Sequence, residues 1–289
     1  MRSGLCGAVM GLVAAGAAAN AAESMKDLDP AQTRAIYAPL HAGAPEDAAT
    51  ERGIAYGPDP RQLMDIWAAS EPGSPLVVFL PGGGFVRGSR GEAGSIFYDN
   101  VMLWATQSGY AGIVMDYRLA PDNLYPAGQE DIQLMLDWAT AHAERLNADP
   151  QRIVLVGQSA GAGHVAAYLA NRPATQVAGA ILISGDYDLK GEEHVYFSSQ
   201  PDKYRLDRLA QIAVPLLLVE VEFELPFVEG KMATYAKALC ERGHCPQTLR
   251  LERHNHYSSS YAIGTDDTIL TDWMKAFVDG LQNSREDAQ

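Results

Sequence analysis

The chain has 289 residues, 47% hydrophobic and 20% charged, enough for one large α/β domain or two smaller ones. Its formal net charge of −14, with no basic block, excludes a nucleic-acid or anionic-membrane partner held by charge, since nothing is present to neutralise a row of phosphates. No internal repeat or extended low-complexity tract is present.

The first residues differ in kind from the rest. Arg2 precedes an apolar, Ala/Gly-rich run at 5–19, and small residues follow with A-x-A spacing at Ala17 and Ala19 or at Ala19 and Ala21. This reads as a cleaved secretory signal over residues 1–22, too short and too weakly apolar for a membrane span. The expectation is an exported protein, periplasmic or secreted, whose mature domain is 23–289 with no membrane span once the signal is removed. Cleavage also removes Cys6. Cys240 and Cys245 remain, a pair able to close a small disulfide loop in an oxidising compartment and carrying no metal-ligand spacing.

Residues 22–52 read as a leader packed over the domain, with a helix at 30–37. Residues 61–68 alternate and predict an early, antiparallel strand. A Pro-Gly-Ser-Pro turn at 72–75 precedes a buried strand at 76–80, which ends at Pro81-Gly82-Gly83-Gly84-Phe85. Three glycines after a buried strand let the backbone curl so that its N–H groups face a ligand, the arrangement an oxyanion needs.

A helix is predicted at 97–108, then a strand at 111–115 followed by Asp116-Tyr117-Arg118. Asp116 and Arg118 are expected to pair with each other and organise that loop. A helix at 129–142 leads to the apolar run 153–156, whose β-branched residues suit a strand buried on both faces. Gly157-Gln158-Ser159-Ala160-Gly161 follows, and then an Ala-rich helix. Glycines at 157 and 161 permit a sharp strand-to-helix turn with Ser159 exposed at its tip.

Further strands are predicted at 178–183, 215–221 and 247–252. Residues 191–209 form an aromatic-containing insertion over the site. Helices are predicted at 231–241 and 269–281. Strands alternate with helices throughout, which predicts a mostly parallel sheet covered on both faces, with a small cap.

A serine hydroxyl needs a base within hydrogen-bond reach and a carboxylate to orient that base. In a parallel sheet the residues able to converge sit at the C-terminal ends of strands. Ser159, Glu224 and His256 all follow predicted strands, in the order serine, acid, histidine. Glu222, Asp186 and Asp188 are alternatives for the acid, and His254 for the base. His164, on the helix after Ser159, reads as a packed histidine.

PGGGF at 81–85, DYRLAP at 116–121, YPAGQED at 125–131, GQSAG at 157–161 and HNHYS at 254–258 occur in one order across most of the mature chain. Together they resemble the α/β-hydrolase superfamily, in its carboxylesterase/lipase branch of hormone-sensitive-lipase-like and feruloyl-esterase-like bacterial enzymes. The resemblance implies Ser159 as nucleophile, His256 as general base and Glu224 as the orienting acid. It places the oxyanion hole at Gly83, Gly84 and the N–H of Ala160. It also implies a small or medium ester as substrate, an acyl-enzyme intermediate, and neither metal nor organic cofactor. An arylformamide or other amide hydrolase on the same residues, or a catalytically degenerate binding protein, are the rival readings. Two positions depart from the family pattern: Pro81 stands where His commonly begins the glycine run, and Glu224 where Asp is common.

Overall fold

The computed structural model describes residues 25–45, 48–91, 95–172, 176–187, 195–200, 202, 204–212 and 214–286. The expected signal segment and the candidate acid Asp188 lie outside them.

Among the described residues, eight strands form one sheet. They are β1 (Glu51–Ala55), β2 (Leu63–Trp67), β3 (Ser74–Leu80), β4 (Ala111–Met115), β5 (Ala148–Gln158), β6 (Val177–Ile183), β7 (Leu216–Phe223) and β8 (Gln247–Asn255). Their spatial order is β1-β2-β4-β3-β5-β6-β7-β8. β2 runs antiparallel to both β1 and β4, and every other neighbouring pair is parallel. The predicted strands are all present. β1 is an addition: four of its five residues are exposed and only Ile54 is half-buried, so it carries no alternation to announce it.

The helices are α1 (Pro30–Tyr37), α2 (Asp99–Gln107), α3 (Ala127–Ala141), α4 (Ala143–Leu146), α5 (Ala160–Asn171), α6 (Leu206–Leu209), α7 (Lys231–Cys240), α8 (Ser258–Tyr261) and α9 (Ile269–Glu286). Side chains on a strand alternate between faces, and here both faces are covered. Ile153 and Leu155 pack with residues of α3, α5 and α7, whereas Val154 and Val156 pack with residues of α2 and α9. That double burial is why the core strands read as unbroken apolar runs.

The leader helix α1 begins on a capping box. Asp29 accepts from Gln32 N at 2.8 Å while the Gln32 side chain accepts from Asp29 N at 3.0 Å, and Pro30 follows the cap. Cys240 and Cys245 form the disulfide, which joins the end of α7 to the approach to β8.

The pairing expected between Asp116 and Arg118 is replaced by two separate ones. Asp116 pairs with Arg90, and Arg118 turns to α3, donating Nε and its own backbone N–H to Asp131 at 2.7 Å each. A fully buried carboxylate requires several donors to offset its desolvation. Asp131 is such a group, and Gln62 supplies a third donor at 2.7 Å.

Candidate active site

The turn between β5 and α5 holds Ser159 at φ 54°, ψ −119°, a backbone conformation costing about 1–3 kcal/mol for a residue with a side chain. The surroundings fix it there. Ser159 N donates to Ile183 O at 2.9 Å. A Cβ on Gly157 would lie 2.5 Å from Ala162 N, and one on Gly161 2.0 Å from Leu80 O. Both contacts are with backbone and cannot be relieved by a rotamer change, so the turn closes only with glycine at these positions.

His256 follows β8 and Glu224 follows β7, and the parallel sheet delivers both to the same end as Ser159. His256 Nε2 lies 2.9 Å from Ser159 Oγ, and His256 Nδ1 lies 2.7 Å from Glu224 Oε2. The His256 side chain is 3% exposed and that of Glu224 is 1% exposed, so the contact between them is shielded from water. A carboxylate only accepts, so Nδ1 is the protonated nitrogen and Nε2 of the neutral ring accepts the serine proton. The row can therefore take a proton from Ser159 Oγ and stabilise the imidazolium that results.

The other candidates are held elsewhere. Glu222 Oε2 accepts the backbone N–H of Arg253 at 2.7 Å. Asp186 lines the cavity over Ser159, with Lys231 Nζ 3.7 Å from its Oδ1. His254 bonds Ser258 Oγ and Asp267 Oδ2, at 3.0 Å each. His164 is fully buried against the rings of Phe85, Tyr117 and Tyr196, and its burial lowers its pKa from 6.5 to about 3.

The glycine run curls back towards the serine. Gly83, Gly84 and Phe85 all have positive φ, at 138°, 61° and 65°. Gly83 O accepts from Arg87 N at 2.9 Å, and Pro81 O accepts the Tyr117 hydroxyl at 2.7 Å. Gly83, Gly84 and Ala160 border one cavity of about 350 Å³ together with Ser159 and His256.

Several residues around this cavity have no individual role assigned from the sequence. Tyr204, Phe227, Val228 and Tyr257 line its walls, and Arg87 stands at the glycine loop. Tyr204 belongs to the predicted insertion, whose aromatic content was the available signal. Gln158 and Asn255 are also new. Gln158 Nε2 donates to His256 O at 3.0 Å, and Asn255 directly precedes His256; GQSAG and HNHYS, the motifs that contain them, were their only sequence signal. Among the described residues no cluster of His, Cys, Asp and Glu is arranged to hold a metal ion, and no helix is long and apolar enough to cross a membrane.

Known proteins resemble this chain in fold and in part of its sequence. The BD-FAE family model matches residues 64–200. Esterase LipC of Mycobacterium tuberculosis is 35% identical over 119 residues, covering 40% of this chain and 28% of that protein. Carboxylesterase NlhH of the same species is 39% identical over 97 residues, covering 33% of this chain and 28% of that protein. The aligned region thus spans less than a third of either curated relative. Esterase B from Lactobacillus Rhamnosis superposes with a TM-score of 0.69 at 18% identity, over 89% of this chain and 94% of that one. The sheet order and the turn at Ser159 give the chain an α/β-hydrolase fold, and its residues 64–200 are similar to the BD-FAE family, as parts of the chain are to bacterial esterases and carboxylesterases.

Proposed function

We propose that the chain is an exported serine carboxylesterase acting on a small or medium ester. The observation that carries the reading is the hydrogen-bonded row Ser159–His256–Glu224 opening onto the 350 Å³ cavity. Ser159 Oγ attacks the ester carbonyl as its proton passes to His256 Nε2. Glu224 holds the ring in the productive tautomer and stabilises its charged form. The N–H groups of Gly83, Gly84 and Ala160 receive the developing oxyanion, a contribution of about 3 kcal/mol per donor in comparable sites. His256 then protonates the departing alkoxide, leaving an acyl group on Ser159. Water deprotonated by His256 attacks that acyl group, the acid leaves, and the serine regains its proton. No metal or organic cofactor takes part.

Export rests on the apolar segment before residue 22, and the disulfide is in keeping with an oxidising compartment. The test is hydrolysis of short p-nitrophenyl esters and labelling by a fluorophosphonate. Both are expected in the wild-type chain, and both are expected to be lost in Ser159→Ala while the circular dichroism spectrum is kept. Turnover retained in Ser159→Ala overturns the proposal.

A further inference from the structure

We infer that the leader before β1 is a working part of the site and that Asn255 is the positioning residue through which it holds His256. The inference rests on the reading of Ser159, His256 and Glu224 given above and adds a determinant to it.

Asn255 is the last residue of β8 and directly precedes His256. It is 3% exposed, and its amide is fully used. Oδ1 accepts from Tyr257 N at 3.0 Å and from Ser258 N at 2.9 Å. Nδ2 donates to Met25 O at 3.0 Å and to Thr33 Oγ1 at 2.9 Å. The orientation of the amide is not arbitrary: backbone N–H groups only donate and the Met25 carbonyl only accepts, so a flipped amide would fail on both sides. Thr33 is fully buried and donates its own hydroxyl to Asp29 O at 2.9 Å, which leaves its oxygen free to accept from Asn255.

The two sides of this amide have different jobs. Oδ1 shapes the turn that carries His256, because it accepts from the two backbone N–H groups that follow the histidine. Nδ2 reaches more than 200 residues back in sequence to the leader. Asn255 therefore fastens the histidine turn to a segment outside the sheet. A second contact reinforces it, with His41 Nε2 2.9 Å from Tyr261 O at the end of α8. On the opposite side the turn meets the reacting groups: Glu224 bonds the His256 ring and Gln158 bonds its carbonyl. The leader also reaches the site itself. Lys26, Asp27 and Leu28 border a cleft of about 580 Å³ whose other walls include Glu224, His256 and Tyr257.

A leader that only covered apolar surface would change stability and nothing else. A brace on the histidine changes the rate of the chemical steps, which depends steeply on where Nε2 stands relative to Ser159 Oγ. The separating experiment uses the full chain with Thr33→Val, which removes one of the leader's two acceptors together with the Thr33 bond to Asp29 O, Thr33→Ser, which keeps both, and Asn255→Asp, which keeps the Oδ1 acceptor of the turn and removes the Nδ2 donors. All are assayed well below their Tm, with kcat counted per site labelled by fluorophosphonate, so that partly folded protein does not enter.

Thr33→Val and Asn255→Asp are expected to lower kcat about tenfold with KM within about twofold, as outlying partners of a reacting group do elsewhere, and Thr33→Ser to restore it. The downfield proton resonance of His256 Nδ1 is expected to broaden or move in the first two variants and not in the third. Wild-type kcat and an unchanged resonance in both Thr33→Val and Asn255→Asp overturn the inference. Failure of the wild-type chain to label or turn over is the separate result that overturns the esterase reading, and the resonance still tests the brace in that case.

Discussion

Glu224 holds His256 with one carboxylate oxygen and its own strand with the other: Oε2 lies 2.7 Å from His256 Nδ1, while Oε1 accepts the backbone N–H of Val221 at 3.2 Å. The second contact explains how a side chain one methylene longer than aspartate fills this position. The extra length lets the carboxylate fold back over the end of β7 and leaves one oxygen facing the ring. Glu224→Gln presents an amide that can no longer stabilise the imidazolium, and kcat is expected to fall by roughly 10⁴-fold, the loss seen when the orienting carboxylate of a triad is neutralised. Glu222→Gln, whose carboxylate bonds the Arg253 backbone instead, is expected to stay within about twofold, since it touches none of the three groups. Steady-state kinetics on one short ester compares the two. The reverse order of losses would transfer the role to Glu222.

Tyr117 steadies the head of the glycine run. Pro81 stands at the head of the glycine run and has no N–H to donate, but its carbonyl is held by the buried Tyr117 hydroxyl at 2.7 Å. Burial also pushes the phenol above its ordinary range, so the hydroxyl stays a donor throughout the working pH range. Tyr117→Phe leaves the Pro81 carbonyl short of a partner, a cost of about 1–3 kcal/mol in stability. Because the same loop carries Gly83 and Gly84, kcat is expected to fall several-fold as well. Thermal melts and kinetics on the same preparation separate the two effects, and a drop in Tm with unchanged kcat would show that the loop keeps its shape without this bond.

Much of this was legible in the sequence because the decisive signals are local. The unbroken apolar runs of β3, β5, β6 and β7 follow from burial on both faces, and the glycines at 157 and 161 follow from a turn too tight for a Cβ. The order of Ser159, Glu224 and His256 follows from parallel strands ending on one side. What was not legible depends on partners distant in the chain. Asp116 and Arg118 looked like a pair because they are two residues apart, yet Arg90 and Asp131 compete better for them across the fold. Asn255 lies inside the HNHYS motif, but nothing local marks its bonds to Met25 and Thr33. The exposed edge strand β1 was invisible for the opposite reason: its order comes from pairing with β2 and not from its own side chains.

The Cys240–Cys245 bridge closes a loop of only a few residues, so it removes little freedom from the unfolded chain. Loop-closure entropy for that length amounts to about 2 kcal/mol. The bridge lies at the end of α7, and neither cysteine lines the cavity at Ser159. The double variant Cys240→Ser/Cys245→Ser is expected to melt a few degrees lower with kcat and KM unchanged. Loss of activity at a temperature where the variant is fully folded would show that the bridge reaches the site.

His164 makes a prediction about pH. It is fully buried, and neither ring nitrogen has a hydrogen-bond partner. Burial lowers its pKa from 6.5 to about 3, so it is neutral in the folded chain through the whole mildly acidic range. The unfolded chain, with a histidine near 6.5, binds a proton there that the folded chain does not. Stability therefore falls as pH drops below about 6.5 and stops falling on this account near pH 3, and by pH 5 the loss amounts to roughly 2 kcal/mol. Replacing the imidazole with an apolar side chain of similar size removes both the titration and two buried polar atoms without partners. His164→Leu is accordingly expected to flatten the pH dependence of unfolding between pH 7 and 4, read as the urea midpoint at each pH, as well as to raise stability at neutral pH by about 1 kcal/mol. The slope is the diagnostic quantity, because a packing penalty from leucine displaces the whole curve and leaves its pH dependence alone. An acid limb as steep in His164→Leu as in the wild type would assign the loss to other groups.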